Sequence, residues 1–345
     1  AEVNWDKLAA TVKTTIRMLD NVIDLNYYPT AEAKKSNMRH RFIGMGSMGW
    51  QDLFYMMGIN YESPQAVALS DKIYEFISYH SIQASSELAK ERGKFASYEG
   101  STWSKNIFPI DTYRELMGQR GDQAVIMGKT EETMDWSSVR DHVKKYGMRN
   151  ALTMAIAPTA TISYIANCSQ SIEPDFSVLF VYSTLSGEFT VVNQHFVRDM
   201  KALGLWDEDM VALVKHVDGD LSLLDDSVVP PSIKNKYKTA FRLDQLKLLE
   251  CGAARQKWID QGMSLNLYNN QTSLKNLNDI YVYAWQLGLK TTYYLRNEAA
   301  SKIEKSTVDA SQIEKIIASK KETAAAAAQP GNRIDTNNIE CVGCQ

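Results

Sequence analysis

Apolar residues recur at helical spacing along much of the chain, which predicts a series of amphipathic helices. In residues 3–25 they return every three or four positions, the spacing of a helix with one buried face. Ser63 followed by Pro64 is a typical helix start, so a long helix is predicted over residues 63–92. Further helices are predicted over residues 136–146, 189–203, 208–217, 243–262 and 273–287.

Short apolar runs bounded by turn residues lie between these stretches and predict strands. Because strands and helices alternate, the pattern is typical of an α/β protein whose strands are largely parallel. Glycines at positions 44, 46 and 49 predict a tight turn where the backbone approaches another element closely. Residues 95–132 are turn-rich and are interpreted as an excursion between core elements. The strands are predicted at residues 42–45, 151–157, 177–182, 264–267 and 291–295.

The central stretch, residues 149–174, reads RNALTMAIAPTATISYIANCSQSIEP. Its apolar run stops at proline, which cannot donate a hydrogen bond, and small hydroxyl residues follow just before a predicted helix. Free N–H groups at such a position suit an anion, and the hydroxyl groups add donors. An ordinary helix cap is the alternative, since the stretch is not a P-loop. The candidate phosphate-binding residues are Pro158, Thr159, Ala160, Thr161, Ile162 and Ser163.

The last residues carry a Cys-x-x-Cys pair, Cys341 and Cys344, and the stretch 324–340 before them, broken by Pro330-Gly331, is interpreted as flexible. This spacing permits a strained disulfide that is easily reduced. A flexible arm of that length reaches about 20–25 Å, enough to enter a buried site and return to an external reductant. A redox dithiol is the favoured interpretation. Half of a zinc site and a tail without function are the alternatives.

Tyr293 and Tyr294 are adjacent in the last predicted strand. Successive side chains of a regular strand face opposite ways, so two such tyrosines make contact only where the backbone is irregular. The alternative is a half-buried strand in which both tyrosines pack and hydrogen-bond separately. Another adjacent pair, Tyr27 and Tyr28, shows that such pairs also arise without special chemistry.

Three blocks, in this order, resemble the large subunit of class I ribonucleotide reductase. They are RFIGMGSMGW at 41–50, the central stretch at 149–174, and LKTTYYLR at 289–296. The resemblance implies the C-terminal half of a ten-stranded α/β barrel, assigned to residues 1–305, with a flexible redox tail at 306–345. It implies a ribonucleoside diphosphate as substrate, bound at 158–163.

The resemblance also implies roles for the tyrosines and the tail cysteines. Tyr294 would receive a radical from a small subunit that holds a diiron or dimanganese cofactor, and Tyr293 would pass it to a catalytic cysteine. Cys341 and Cys344 would reduce the active-site disulfide after each turnover and be reduced in turn by thioredoxin or glutaredoxin. The chain itself would bind no metal and no cofactor directly.

The radical cysteine of that family lies in an Asn-x-Cys-x-Glu motif, which none of the four cysteines matches. Cys168 lies in Asn-Cys-Ser-Gln and is interpreted as a small packed residue. A separate chain, the N-terminal half of the large subunit, is therefore expected to supply the missing cysteine. Trans-splicing and a fragment cut for an experiment are rival explanations of the split. A non-catalytic scaffold or regulatory remnant and an unrelated Cys-x-x-Cys oxidoreductase are the functional alternatives.

Composition adds few constraints. The 345 residues are 44% hydrophobic with a net charge of −3. The charge gives no reason to expect binding to nucleic acid or membrane, and no apolar run approaches the ~20 residues of a membrane span. Four cysteines are too sparse for a disulfide scaffold and predict a reducing cytoplasm.

Overall fold

The computed structural model describes residues 1–128, 130–184, 187–270, 273–298 and 313–320. By internal packing the chain divides into two compact units. Of the described residues, one contains 1–176 with 239–298, and the other contains 177–238 with 313–320. The sequence prediction of one domain over 1–305 did not anticipate that residues 177–238 form a unit of their own.

Helices dominate the secondary structure, and short strands lie between them. Residues 313–320 form a further helical segment. Three 3₁₀ turns lie at Trp103–Lys105, Gly121–Gln123 and Leu221–Leu223. The helices are α1 Trp5–Leu25, α2 Ala31–His40, α3 Trp50–Met57, α4 Pro64–Arg92, α5 Pro109–Arg120, α6 Trp136–Tyr146, α7 Ile162–Ala166, α8 Gln194–Ala202, α9 Glu208–His216, α10 Pro231–Lys236, α11 Gln245–Gln256 and α12 Leu274–Gln286. The strands are β1 Leu179–Thr184, β2 Gly187–Val192, β3 Leu267–Asn269 and β4 Leu295–Asn297.

Three departures from the predicted elements have physical reasons. Helix α2 has no buried residue, so it carries no apolar stripe for a sequence pattern to detect. Helix α5 begins at a proline inside the region interpreted as turns. The helix predicted over 189–203 begins only at α8, because Asn193 caps it and the residues before it pair with β1 as strand β2.

Four short segments of the larger unit lie side by side as parallel neighbours. Residues 43–45 pair with residues 152–156 through a Met45–Met154 bridge, and 152–156 pair with Met263 through Ile156. Strand β3 then pairs in parallel with β4. The parallel α/β prediction is confirmed in this unit. The described residues form an open arrangement, and the predicted barrel is not closed within them.

Glycine is required where the first two of these segments meet. A Cβ atom added to Gly46 would lie 2.5 Å from the carbonyl oxygen of Ala155, and one added to Gly44 would lie 3.0 Å from the Ala155 Cβ. The contact at Gly46 would force the backbone to move, whereas the contact at Gly44 would require a shift of a few tenths of an ångström. The predicted close approach of the glycine-bearing strand is therefore confirmed.

Among the described residues, the smaller unit contains an antiparallel hairpin, the helices α8, α9 and α10, and the helical segment 313–320. Strands β1 and β2 pair from Leu179 with Val192 to Thr184 with Gly187. Its own apolar core uses one face of each neighbouring helix, because their buried residues recur at helical spacing. The fully buried members include Phe196, Met200, Met210, Leu213 and Val214.

One buried carboxylate joins the amino-terminal ends of the first two parallel segments to the helices behind them. Asp20 of α1 is fully buried and accepts hydrogen bonds from Arg41 at 2.7 Å, Arg92 at 3.1 Å and Arg149 at 3.3 Å. The Asn150 amide donates to it at 3.2 Å. Arg41 and Arg149 immediately precede the two strand segments, so this ion cluster fixes where both begin.

We expect Asp20→Asn to lower the free energy of unfolding by about 3–5 kcal/mol, because it removes the buried negative charge that faces buried Arg41 and the partly buried Arg92 and Arg149. Urea denaturation of the two chains measures the difference. Asp24→Asn is the matched control, since the Asp24 side chain is 45% exposed although it also bonds Arg41. A loss of about 1 kcal/mol or less is expected there. Equal losses in the two variants would contradict a special role for Asp20.

Candidate functional site

The predicted phosphate-binding loop follows the carboxyl end of segment 152–156. Thr159 has a φ of 54°, a conformation that is unusual for a β-branched residue. Its hydroxyl accepts the N–H of Ser171 at 2.7 Å, and its carbonyl accepts the N–H of Ser163 at 3.1 Å. These two hydrogen bonds hold the strained turn in place.

The loop presents several donors without internal partners. No hydrogen bond in the described part of the chain uses the N–H groups of Ala160, Thr161 or Ile162, and all three residues are exposed. Ser163 is buried, and its Oγ also has no partner among the described residues. Successive free N–H groups beside a hydroxyl form a concavity that suits an anionic oxygen cluster.

The residues after α7 dock on the glycine turn that follows segment 43–45. Gly49 donates its N–H to the carbonyl of Ser169 at 2.9 Å, and the Asp52 carboxylate accepts the N–H of Ser169 at 2.6 Å. A Cβ on Gly49 would lie 3.5 Å from the Cβ of Cys168. Burial, and then the nearby Asp52 charge, raises the pKa of the Cys168 thiol. The raised pKa disfavours the thiolate form, and the contact with the Gly49 turn supports the interpretation of Cys168 as a packing residue.

Tyr293 and Tyr294 make direct contact. Their ring centroids lie 4.0 Å apart, and the Tyr293 hydroxyl donates to the Tyr294 hydroxyl at 3.2 Å. That hydrogen bond raises the pKa of Tyr293. The side chains are 45% and 52% exposed. Two phenols in hydrogen-bond contact, with one surface open to a partner, can exchange a hydrogen atom between them.

The backbone at this pair departs from a regular parallel ladder. Tyr293 donates its N–H to Leu265 O at 2.8 Å, whereas Tyr294 accepts the N–H of Leu267 at 2.9 Å. In a regular pair one residue would make both bonds. The displaced N–H of Tyr294 donates to Asn266 Oδ1 at 3.1 Å. One additional residue in the register lets both rings lie on the same side.

Sequence reasoning missed Glu173 and Asn266. Glu173 is 5% exposed and accepts the Asn266 N–H at 3.1 Å and the Tyr268 hydroxyl at 2.5 Å. Burial raises the pKa of Glu173 to about 7. One signal in the sequence could have indicated Glu173. It is an acidic residue between Ile172 and Pro174, next to predicted strands, and an ionisable group that is buried there needs a hydrogen-bond partner.

The two tail cysteines, Cys341 and Cys344, lie outside the described residues. Within the ranges that the structure describes, no cluster of three His, Cys, Asp or Glu side chains could hold a metal ion. None of the helices in those ranges combines the length and the apolar character that crossing a bilayer requires.

Comparison with known proteins identifies the family. The model of the ribonucleotide reductase barrel domain matches residues 1–295, which include the glycine turn, the loop and the tyrosine pair. This chain belongs to that family. The resemblance seen in the three sequence blocks is thereby confirmed for the reductase barrel domain.

Several reductase large subunits are similar along most of this chain. The ribonucleoside-diphosphate reductase subunit alpha of Chlamydia pneumoniae is 50% identical over 308 residues, 89% of this chain and 29% of that protein. The ribonucleoside-diphosphate reductase large subunit of Plasmodium falciparum is 37% identical over 309 residues, which are 89% of this chain and 37% of that protein. The reductase large chain 2 of Saccharomyces cerevisiae is 37% identical over 310 residues, which are 90% of this chain and 34% of that protein. This chain spans about a third of the length of these relatives.

We expect the stability difference between Glu173→Gln and the unmodified chain to depend on pH. The pKa of Glu173 lies above its ordinary value of 4.5, so the folded state binds this proton more tightly. That contribution is full below about pH 4.5 and is lost as the pH rises through 7. From pH 4.5 to 8, Glu173→Gln should therefore gain up to about 3 kcal/mol relative to the unmodified chain. Urea denaturation at several pH values measures this, and a constant difference would contradict it.

Proposed function

We propose that this chain is the part of a ribonucleoside-diphosphate reductase large subunit that holds the substrate's phosphates and carries the radical inward. The observation that carries the proposal is the Tyr293–Tyr294 contact at a displaced register, in the same unit as the phosphate loop. The product would be a deoxyribonucleoside diphosphate, a precursor for DNA synthesis. The relatives' names describe enzymes that act on ribonucleoside diphosphates.

The loop 158–163 supports the substrate role through its free donors. The N–H groups of Ala160, Thr161 and Ile162 would bind terminal phosphate oxygens, and the Ser163 hydroxyl would add a donor. Pro158 ends the preceding strand, and Thr159 fixes the turn. Binding through the backbone does not depend on the base, so one site can serve several nucleotides.

The tyrosine pair would carry the radical by hydrogen-atom transfer. A phenoxyl radical on Tyr294 takes one electron and one proton from the Tyr293 hydroxyl, which leaves Tyr294 reduced and the radical on Tyr293. Tyr293 then takes a hydrogen atom from a cysteine thiol, which becomes the thiyl radical that attacks the ribose. Each step breaks one O–H or S–H bond and forms one O–H bond.

The thiyl-forming cysteine would lie on a second chain with the rest of the large subunit. Within the described residues, segment 43–45 and strand β4 each have a sheet neighbour on one side only. Unpaired strand edges bind other strands readily. The second chain would pair with these edges and complete the barrel.

Helix α12 supports a contact with the small subunit, which would hold the diiron or dimanganese radical cofactor. One face of α12 is buried through Ile280 and Ala284. Its opposite side exposes apolar side chains at a helical repeat, and such a stripe is typical of a surface that binds a partner peptide. The exposed residues are Leu274, Tyr281, Val282 and Trp285.

The tail would supply reducing equivalents. One thiolate of the Cys341–Cys344 pair attacks the active-site disulfide, and the other thiol resolves the mixed disulfide. The tail disulfide that results takes two electrons from thioredoxin or glutaredoxin. Such a cycle places the protein in a reducing compartment, for which we propose the cytoplasm.

Native purification followed by mass spectrometry of the bound proteins tests the proposal. Recovery of a second chain with Asn-x-Cys-x-Glu near one to one, and reduction of ribonucleoside diphosphates by the complex with the small subunit, are the expected results. A folded, solitary and inactive chain would overturn the proposal in favour of a scaffold. Thioredoxin-independent disulfide exchange on a generic protein substrate would favour a Cys-x-x-Cys oxidoreductase.

We expect Tyr293→Phe and Tyr294→Phe to fold normally and to abolish turnover of the assembled enzyme, because phenylalanine has no O–H bond to exchange. Turnover assays with circular dichroism as the folding check measure this. Tyr27→Phe is the matched control, since Tyr27 also belongs to an adjacent pair and is 83% exposed. Normal turnover by Tyr293→Phe would rule out its role.

We expect Cys341→Ser and Cys344→Ser to stop multiple turnover with thioredoxin or glutaredoxin, while one turnover of the pre-reduced complex remains. The serine hydroxyl cannot exchange with a disulfide, although the chemistry at the ribose is untouched. A small dithiol that reaches the active site should restore turnover. Sustained thioredoxin-dependent turnover by either variant would exclude the tail role.

A further inference from the structure

We infer that Glu173, acting through Asn266, is a positioning residue that holds Tyr293 and Tyr294 in contact. The geometric part of this inference concerns the described residues alone. Its consequence for radical transfer rests on the proposed function. The two parts are separated in the experiment below.

The segment that leads into β3 presents N–H groups on one side to the segment 152–156. Ser264 donates its N–H to Ile156 O at 2.9 Å. The neighbouring segment then ends at Pro158, so the next N–H groups on this side have no strand to bond. Side chains take the place of the missing strand. The Asn266 N–H donates to the Glu173 carboxylate at 3.1 Å, and the Tyr268 N–H donates to the Gln245 side chain at 2.8 Å.

On its other side this same segment carries the tyrosine pair. The Asn266 side chain accepts the Tyr294 N–H that the displaced register leaves without a ladder partner. The Glu173–Asn266 bond fixes the Asn266 backbone, and Asn266 fixes the Tyr294 backbone. Without this acceptor the Tyr294 N–H loses its compensation, and a regular register, with the two rings on opposite faces, becomes favoured.

Glu173 is itself held on several sides. Tyr268, 1% exposed, donates its hydroxyl to the second carboxylate oxygen. One residue earlier, the carbonyl of Ile172 accepts the hydroxyl of buried Tyr61. Ser171, next in the chain, donates its N–H to Thr159 in the phosphate loop. The same short segment therefore braces the loop and the tyrosine pair.

A fluorine probe tests the positioning role without turnover. The full chain carries 3-fluorotyrosine at position 294, and Tyr293→Phe gives the ¹⁹F signal of a residue 294 that has lost its hydroxyl partner. Asn266→Leu and Glu173→Leu are expected to shift the signal toward that reference. Glu173→Gln retains an acceptor and is expected to keep the original signal. Gln245→Leu is the matched control, because Gln245 caps the next N–H of this segment but does not contact the pair.

Tyr268→Phe provides a milder variant, since it keeps the ring and removes only the donor to Glu173. It should move the ¹⁹F signal in the same direction, and it replaces the leucine variants as the test if those do not fold. An unchanged ¹⁹F signal in every folded variant of Asn266, Glu173 and Tyr268 would overturn the inference. An equal shift in Gln245→Leu would overturn it too, because a general loosening of the segment would then explain the result.

In the assembled enzyme, Asn266→Leu should lower kcat about 10- to 100-fold, because proton and electron transfer depend on the phenol contact. The KM for the diphosphate should stay unchanged, whereas mere damage to the phosphate loop would raise it. A shifted fluorine signal together with an unmodified complex that lacks reductase activity would refute the proposed function and leave the positioning role intact. An unshifted signal in an active enzyme would do the reverse.

Discussion

The early end of the strand segment at 152–156 determines the arrangement of the site. Pro158 cannot continue the ladder, so the chain leaves the sheet and forms the candidate phosphate-binding loop where a strand would have continued. The adjacent segment loses its neighbour at the same point, and its N–H groups are left for side chains to satisfy. Glu173 and Gln245 accept these N–H groups. On the other side of the same segment, the Asn266 side chain accepts the Tyr294 N–H at the displaced register, where the two phenols make contact. One interruption thus creates both halves of the site.

The opposite ends of these segments are held rigidly. Asp20 binds the arginines that precede two of them, and the Asp260 carboxylate accepts the N–H groups of Thr153 and Met154 at 2.7 and 2.9 Å. Burial raises the pKa of Asp260, while these N–H donors act in the other direction. Charged and hydrogen-bonded anchors at the amino ends leave the carboxyl ends free to carry irregular loops. Such a division between a rigid scaffold and functional loops is common in proteins with parallel sheets.

The candidate loop and the tyrosine pair were singled out by the resemblance to the reductase family, because residue types and spacing alone left an ordinary helix cap and separately packed tyrosines as alternatives. Sequence patterns were informative about several helices. They predicted α1, α4 and α6, whose stripes and caps are strong. Glu173 and Asn266 were not found, because their roles depend on which strand ends first and on a shift of one residue in register. Neither property is encoded in a local pattern. The residues of strand β2 were mistaken for the start of a helix. They are a strand because they pair with β1, and helical periodicity contains no information about strand pairing.

The open sheet edges of the described residues also bear on how the protein must be produced. Edge pairing uses backbone groups that every chain possesses, so an edge does not by itself distinguish the correct partner from another copy of the same chain. Association then follows mass action, and an excess of this chain would favour self-pairing over assembly. For the two-chain arrangement proposed above, balanced synthesis of the two chains, or synthesis in close succession, would be a requirement of the fold as much as of the chemistry.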